Sequence, residues 1–414
     1  MKPQKRYDVI VVGARCAGSA TAMLLARHGH SVLLVDRDDF PSDNAGSTHL
    51  VWPSGVARLA QWGLLERLKA THCPAMQTVM LDLGGLVLRG TPPPAGGSSD
   101  IYAPRRLALD TVLLEAAQQA GVDFRPGFQL RELLRVDGRV SGIVGSDASA
   151  AAVEFQARLV VGADGTSSAV ARAADAAVLD KHSHAQGTIW AYFSKVPIDG
   201  LEFYARPNRM MLASATNDGQ TLVGCCVHLD DFARLAKDPD VSLRAEFMAL
   251  TPSLGARIEA GHRESRWLAR ATPGLRRQAS GPGWALVGDA GLTMDPITAA
   301  GISNAFRDAE LLSDAIHEGL TGTEPLDDVV ARFGPARDAV SVPLYEFARE
   351  MGKLDPPSQA VMDLFMALPG QQRAIDAYFG VFAQTVPVTE FFAPDNLARI
   401  IAGVGAEAKG VLSA

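Results

Sequence analysis

The chain is predicted to be an α/β protein of two lobes, with an antiparallel-sheet domain inserted into the first and a helical C-terminal region. Three observations carry this. An apolar run, Val9-Ile10-Val11-Val12, ends in Gly13-Ala14-Arg15-Cys16-Ala17-Gly18; a helical pattern follows, then a second apolar run, Val32-Leu33-Leu34-Val35, that closes on Asp36. The same buried-strand texture returns at 157–162 and at 284–287, each time leading into a glycine-bearing turn. Between them, residues 187–229 alternate apolar and aromatic side chains about the turn Asn217-Asp218-Gly219, the period of antiparallel strands.

The first unit has the order strand, glycine turn, helix, strand, acid of a dinucleotide-binding (Rossmann) βαβ unit. Glycines there let the backbone approach a pyrophosphate, the helix N-terminus faces its charge, and Asp36 can accept from a ribose diol. After a polar loop at 39–49, Pro53 opens a helical pattern through Val56, Leu59, Ala60 and Leu64. Residues 77–90 pair as strands about Gly84-Gly85, and 90–99 is a loop of Pro, Gly and Ser. Leu107 to Ala120 reads as an amphipathic helix with Leu107, Leu109, Val112, Leu113, Ala116 and Ala117 on one face, stopped by Gly121. Strands follow at 122–125, 128–135, 139–145 and 152–162. Helices are expected from about 230 to 262, a long one from Ala299, and more from 325 to the end. The expected organisation is a discontinuous cofactor domain (1–75, 100–185, 275–345), a substrate domain (76–99, 186–274) and a helical region (346–414).

Composition bounds the function. The 414 residues carry a formal charge of -7 and no basic block, which argues against a nucleic-acid partner. Hydrophobic content is 47% and mean hydropathy +0.07, the balance of a globular chain with sizeable cores. No apolar run reaches spanning length, so no transmembrane segment is expected. Cys16, Cys73, Cys225 and Cys226 show neither CxxC spacing nor a His-rich partner set. That favours no metal, a reduced cytoplasmic setting, and Cys225 and Cys226 as packing residues on opposite faces of a strand. A small-molecule substrate and a monomer or homodimer complete the expectation.

Three motifs in order make the chain similar to the flavoprotein aromatic hydroxylase (group A monooxygenase) and geranylgeranyl reductase superfamily, with its glutathione-reductase-like FAD-binding fold. They are Gly13 to Gly18 with Asp36; Gly162-Ala163-Asp164-Gly165 with Ser168 and Val170; and Gly288-Asp289-Ala290 with Asp295-Pro296 and Gly301. Pro104-Arg105-Arg106 resembles the family's flavin-contacting arginine at a helix start, with Arg106 preferred. The resemblance covers about residues 7–315. It implies that Gly13, Arg15, Ala17, Gly18, Asp36, Arg37, Thr48, Arg106, Asp164, Gly288, Asp289, Pro296, Ala300, Gly301 and Ile302 hold FAD. A carboxylate such as Asp289 accepts strongly from a ribityl hydroxyl. A helix opened by Pro296 through Gly301 would set its positive end at the flavin edge that becomes anionic on reduction.

The implied activity is that of a flavoprotein oxidoreductase. NAD(P)H would act as transient reductant, and a flavin C4a-hydroperoxide would hydroxylate an apolar or aromatic small molecule. No side chain need be a nucleophile; His49 and Pro296 are the candidate catalytic positions. His49, Trp190, Tyr192, Tyr204 and Met210 are candidates for the substrate pocket, although alternate strand residues face opposite sides and only one subset can line it. Departures are visible. Arg15 replaces the middle glycine, so either it contacts phosphate or the pyrophosphate approach differs. Gly291-Leu292 stands where a histidine is usual, and Ala299 takes the first glycine position of Pro-x-x-Gly-x-Gly. This pattern leans toward the reductase and halogenase-related branch. The halogenase Trp-x-Trp-x-Ile-Pro motif is absent, Trp190-Ala191-Tyr192 being a partial echo. The alternatives are an ene-reductase acting on an activated or isoprenoid double bond and, from another class, a non-catalytic prenyl-binding escort. A late Gly403-Val404-Gly405-Ala406-Glu407-Ala408 imitates the fingerprint, but too few residues follow it to build a βαβ unit.

Overall fold

The computed structural model describes residues 6–43, 46–146, 152–183 and 185–403. Residues 404–414, which hold most of the late fingerprint mimic, lie outside them. Strand β1 (Arg6–Val12), helix α1 (Cys16–Arg27) and strand β2 (Val32–Val35) form the first βαβ unit, with β1 and β2 parallel and Val9 opposite Val32. β1 also pairs in parallel with Ala152–Gly162, which pairs in parallel with Trp284–Leu286; Asp123–Arg125 adds beyond β2. The three motif-bearing segments are thus neighbours in one sheet, and their carboxyl ends share one edge. Ligands bind at such an edge in open α/β sheets.

Burial explains the layers. Val9, Val11, Met23, Leu25, Leu109, Leu113, Phe306 and Leu312 pack α1 and the helices Arg106–Gln119 and Gly301–Thr321 against one face of the sheet. Ile10, Val12, Leu33, Val35, Val160 and Trp284 pack the other face against the meander Gln129–Val136 and Arg139–Ser146. Each fully buried aliphatic side chain contributes about 1.5–3 kcal/mol relative to exposure.

The second sheet runs His262–Arg263, Gln186–Ser194, Gln220–His228, Arg209–Ala215, Leu201–Arg206, Val79–Asp82, Val87–Gly90, and so joins residues 79–90 to the strands after 186. Its outer face (Ile189, Phe193, Tyr204, Met211, Val223, Cys225) is covered by Leu229–Lys237, Pro239–Leu250 and Pro252–Ala260. Cys226 points the other way, as strand alternation requires. The late helices Gln359–Ala367 and Gln372–Ala383 pack Leu364, Phe365, Tyr378 and Phe379 on Leu50, Trp52 and Leu201, bracing the two lobes from one end.

Two details differ from what the sequence predicts. Leu107 is 45% exposed, because the buried face of the helix Arg106–Gln119 runs through Arg106, Leu109, Asp110 and Leu113 and leaves position 107 off it. The long helix starts at Gly301: Pro296–Thr298 forms a separate 3-10 turn and Ala299 is left-handed (φ 51) before it. Among the described residues no helix is long and apolar enough to cross a membrane.

Candidate active site

The three motifs meet side by side. A Cβ on Gly13, whose φ is +105, would lie 2.4 Å from Ala163 O; one on Gly18 would lie 1.7 Å from Gly13 O and 3.1 Å from Ala163 Cβ. A Cβ on Gly288 (φ +59) would lie 2.8 Å from Ala17 Cβ. First motif touches second, and α1 touches third. Position 15 needs no glycine, since its backbone is extended at φ -94, ψ -161. That is how the fingerprint tolerates an arginine there.

Accessible residues outline a channel along these contacts. Ala17, Ala163, Gly165, Pro296, Ala299 and Gly301 stay accessible in otherwise buried segments, and a Cβ added to Gly301 would meet nothing within 4 Å. α1 and the helix Gly301–Thr321 both begin here with no side-chain cap and no acidic residue in the first turn. Their N–H groups and positive ends are therefore available to an anion. Asp289 is exposed between buried Gly288 and Ala290, and its carboxylate has no hydrogen-bond donor among the described residues. Desolvation raises its pKa above the ordinary value, with Arg270 and Arg106 acting in the opposite sense. Asp36, at the end of β2, accepts from Ala14 N at 2.6 Å and Asp38 N at 2.9 Å, and burial raises its pKa.

Several expected cofactor ligands have other partners. Asp164 accepts from Ser168 Oγ (2.5 Å), Ala169 N (2.6 Å) and Val170 N (3.2 Å), so its carboxylate shapes its own turn. Arg106, buried, is held by Asp110 at 3.0 Å to each carboxylate oxygen, rather than lying free along the channel. Arg15 donates to Asp110, Asp38 and Ser42. The Arg37 side chain is 80% exposed and meets Asp38 at 3.7 Å. Ala300 and Ile302 are buried at the start of the long helix.

Arg277 gives no sequence signal and ties two motifs together. Its guanidinium donates to Ala290 O at 2.8 Å and Thr166 O at 2.9 Å, and burial lowers its pKa. Thr293 Oγ1 adds bonds to Asp289 O (2.8 Å) and Thr166 Oγ1 (3.2 Å).

The inner face of the second sheet closes over the Pro296–Ala299 turn. Thr48, Leu50, Thr188, Leu201, Phe203, Met210, Leu212, Ser214, Cys226, Pro296, Ile297 and Ala299 line a small cavity of about 30 Å³, with no charged side chain, that a substrate must widen by moving side chains. Of the aromatic candidates, Trp190 and Tyr192 form a small cluster with Leu212 on this side. Trp190 Nε1 and Thr298 Oγ1 are buried without a hydrogen-bond partner among the described residues. Tyr204 does not belong to the pocket. Strand alternation turns it to the helix-covered face, where its hydroxyl donates to Glu202 Oε2 (2.6 Å) and accepts from Arg257 (2.8 Å).

His49 is buried rather than on a surface loop, with φ 49. Its Nε2 shares a 2.7 Å hydrogen bond with Tyr192 Oη, and the rings stack at 5.7 Å. Arg105, not Arg106, lies over the Tyr192 ring, its guanidinium 3.7 Å from the centroid. Burial, then Arg105, push the His49 imidazole down to about 3, with the Ala103 backbone opposing, so it is neutral at ordinary pH.

These features fit a dinucleotide cofactor: a glycine cradle that side chains would fill, two uncapped helix starts and an unpartnered carboxylate along one channel. Comparison with known proteins agrees. A family described as "FAD binding domain" matches residues 6–341. A 1H-pyrrole-2-carbonyl-[peptidyl-carrier protein] brominase of Pseudoalteromonas luteoviolacea (strain 2ta16) is 24% identical over 339 residues, 78% of this chain and 80% of that one. Digeranylgeranylglycerophospholipid reductase 1 of Methanococcoides burtonii (strain DSM 6242 / NBRC 107633 / OCM 468 / ACE-M) is 27% identical over 329 residues, 74% of this chain and 72% of that one. The structure of p-nitrophenol 4-monooxygenase PnpA from Pseudomonas putida DLL-E4 superposes with a TM-score of 0.73 at 16% identity, covering 96% of this chain and 98% of that one.

Proposed function

Because the chain belongs to the FAD binding domain family, and its relatives are flavin-dependent enzymes, we propose that this FAD-dependent oxidoreductase is an NAD(P)H-dependent monooxygenase. Its substrate is a neutral, apolar or aromatic small molecule. One observation carries the reading: the uncharged cavity on the inner sheet face shares its wall with the Pro296–Ala299 turn, where the flavin ring would lie. FAD, when bound, would supply the redox chemistry between nicotinamide and oxygen.

The chain's own residues bind, orient and shield. The start of α1 at Ala17 and Gly18 would hold the pyrophosphate, and Asp36 would accept from the ribose. Asp289 would accept from a ribityl hydroxyl, and the start of the long helix at Gly301 would stabilise negative charge on the flavin edge. Phe203, Met210, Leu212 and Ile297 surround the substrate and keep water from it. Trp190 Nε1, buried without an acceptor, suits a carbonyl or hydroxyl oxygen on that substrate. The four cysteines are free, which suits a cytoplasmic setting.

Halogenation, the activity in the brominase relative's name, is disfavoured here, since the Trp-x-Trp-x-Ile-Pro pattern is missing. Reduction of an isoprenoid double bond is the second reading, favoured by Ala299 at the first glycine position of the flavin turn. Incubation with NAD(P)H, labelled dioxygen and a panel of phenols, indoles and isoprenoids separates them. A product gaining one labelled oxygen atom is expected. A product gaining two hydrogens and no oxygen would replace hydroxylation by ene reduction.

A further inference from the structure

The residue that breaks the fingerprint has a built environment. Arg15 Nη1 donates to Asp110 Oδ2 at 2.9 Å and to Ser42 O at 3.3 Å; Nη2 donates to Asp38 Oδ2 and Ser42 Oγ, each at 3.1 Å. Its guanidinium also lies 5.4 Å from the Phe40 ring, which packs edge-on against Phe124. Asp110 is 1% exposed and is fixed in turn by Arg106 and by Cys16 Sγ at 3.2 Å. Arg15 is thus a post anchored at the root of α1, and the segment 38–42 is tied to its free end. That segment directly follows Asp36 and Arg37, and Asp38 N is bonded back to Asp36 Oδ1. It flanks the strand ends that the adenosine diphosphate half of a dinucleotide must cross.

We infer that Arg15 is a clasp: it closes the segment 38–42 against the start of α1 and retains FAD, without itself being the phosphate ligand. Arg15 is a positioning residue, acting through the segment it holds. The inference rests on FAD occupying the channel.

The consequence runs against the family pattern. Arg15→Gly, which restores the usual glycine, releases FAD faster than wild type, on the order of tenfold, because the four charge-assisted bonds of the guanidinium are lost. Arg15→Lys keeps a charge but not the fork and falls between. The double variant Asp38→Asn/Ser42→Ala removes the carboxylate and hydroxyl at the far end of the clasp, leaving Arg15 and its bond to Ser42 O in place, and speeds release severalfold. Combining it with Arg15→Gly adds little, because both changes break one interaction.

Release of FAD is followed by flavin fluorescence after dilution. Hydrogen exchange of peptides spanning 38–43 is measured on the same variants, with and without FAD, and is expected to rise in each clasp variant. Retention equal to or better than wild type in Arg15→Gly overturns the clasp. Weakened binding in Arg15→Gly with no effect of Asp38→Asn/Ser42→Ala overturns it too, and makes Arg15 a direct phosphate contact. Failure of the wild-type protein to take up FAD would sink the cofactor reading instead; exchange at 38–43 in the FAD-free protein then decides the clasp alone.

Discussion

Gly18 leaves its neighbours no room: a Cβ at that position would come within 1.7 Å of Gly13 O, far inside van der Waals contact. Gly18→Ala is expected to yield protein that binds no flavin, or none that folds, checked by absorbance of the purified protein and its circular dichroism. Arg277→Gln tests the bond between the second and third motifs. FAD affinity should fall about tenfold, worth about 1.4 kcal/mol, with Arg277→Lys recovering part of it in a fluorescence titration of apoprotein. Tyr204→Phe makes the opposite point. It removes a hydrogen bond to a buried ionised pair at a cost of about 1–2 kcal/mol of stability, seen in denaturant melts, while substrate affinity stays as in wild type. A raised KM in that variant would return Tyr204 to the pocket. The glycines are legible in sequence because only glycine satisfies a positive φ or so close an approach. Tyr204 is not, because composition does not give a strand's phase; Leu201 and Phe203 take the cleft side and leave Glu202 and Tyr204 outside. Nor does sequence reveal His49 as a buried group, since its partner Tyr192 lies 143 residues away.

The two uncapped helices also touch at their far ends. His30, just after α1, shares a 2.9 Å contact between its Nε2 and His317 Nδ1 on the long helix; His28 stacks on His317 at 4.2 Å and faces Asp314. One ring must accept, so the contact needs a neutral partner. Burial, then His317, hold the His30 imidazole below its ordinary 6.5, with His28 and Arg158 adding to this and Asp8 opposing. A depressed folded pKa means the stability is complete above pH 6.5 and is lost as pH falls toward the folded value, because the unfolded chain takes up protons first. His49 adds a second group of the same sign, down to about 3. Melting temperature is expected to decline from about pH 6.5 downward, with a shallower decline in His49→Gln, which keeps an acceptor for Tyr192 without the titration. A melting temperature flat from pH 7 to 5 would contradict this.

At the scale of elements the sequence is most readable where periodicity is strong. The parallel strands and the helix Arg106–Gln119 lie where patterning puts them. The 3-10 turn at Pro296–Thr298 reads as helix in sequence because proline at a helix start carries the same signal, and only the left-handed Ala299 separates the two.

Taken whole, the molecule sets a cofactor channel built from three distant segments against a single uncharged sheet face. If that division holds, filling the cavity from the sheet side should leave the cofactor untouched. Leu212→Trp is expected to abolish substrate-dependent NAD(P)H oxidation while the flavin content and spectrum of the purified protein match wild type; loss of flavin in that variant would mean the cavity and channel are one site. The proposed monooxygenase activity rests on what reduced flavin does beside that cavity. The most direct measurement reduces the FAD-loaded protein without oxygen, saturates it with a substrate found by the labelled-dioxygen screen, and mixes it rapidly with oxygenated buffer while recording flavin absorbance. A spectrally distinct intermediate is expected before the oxidised spectrum returns, with product formed in the same turnover. A return to oxidised flavin in one step, with the substrate recovered unchanged, would contradict hydroxylation.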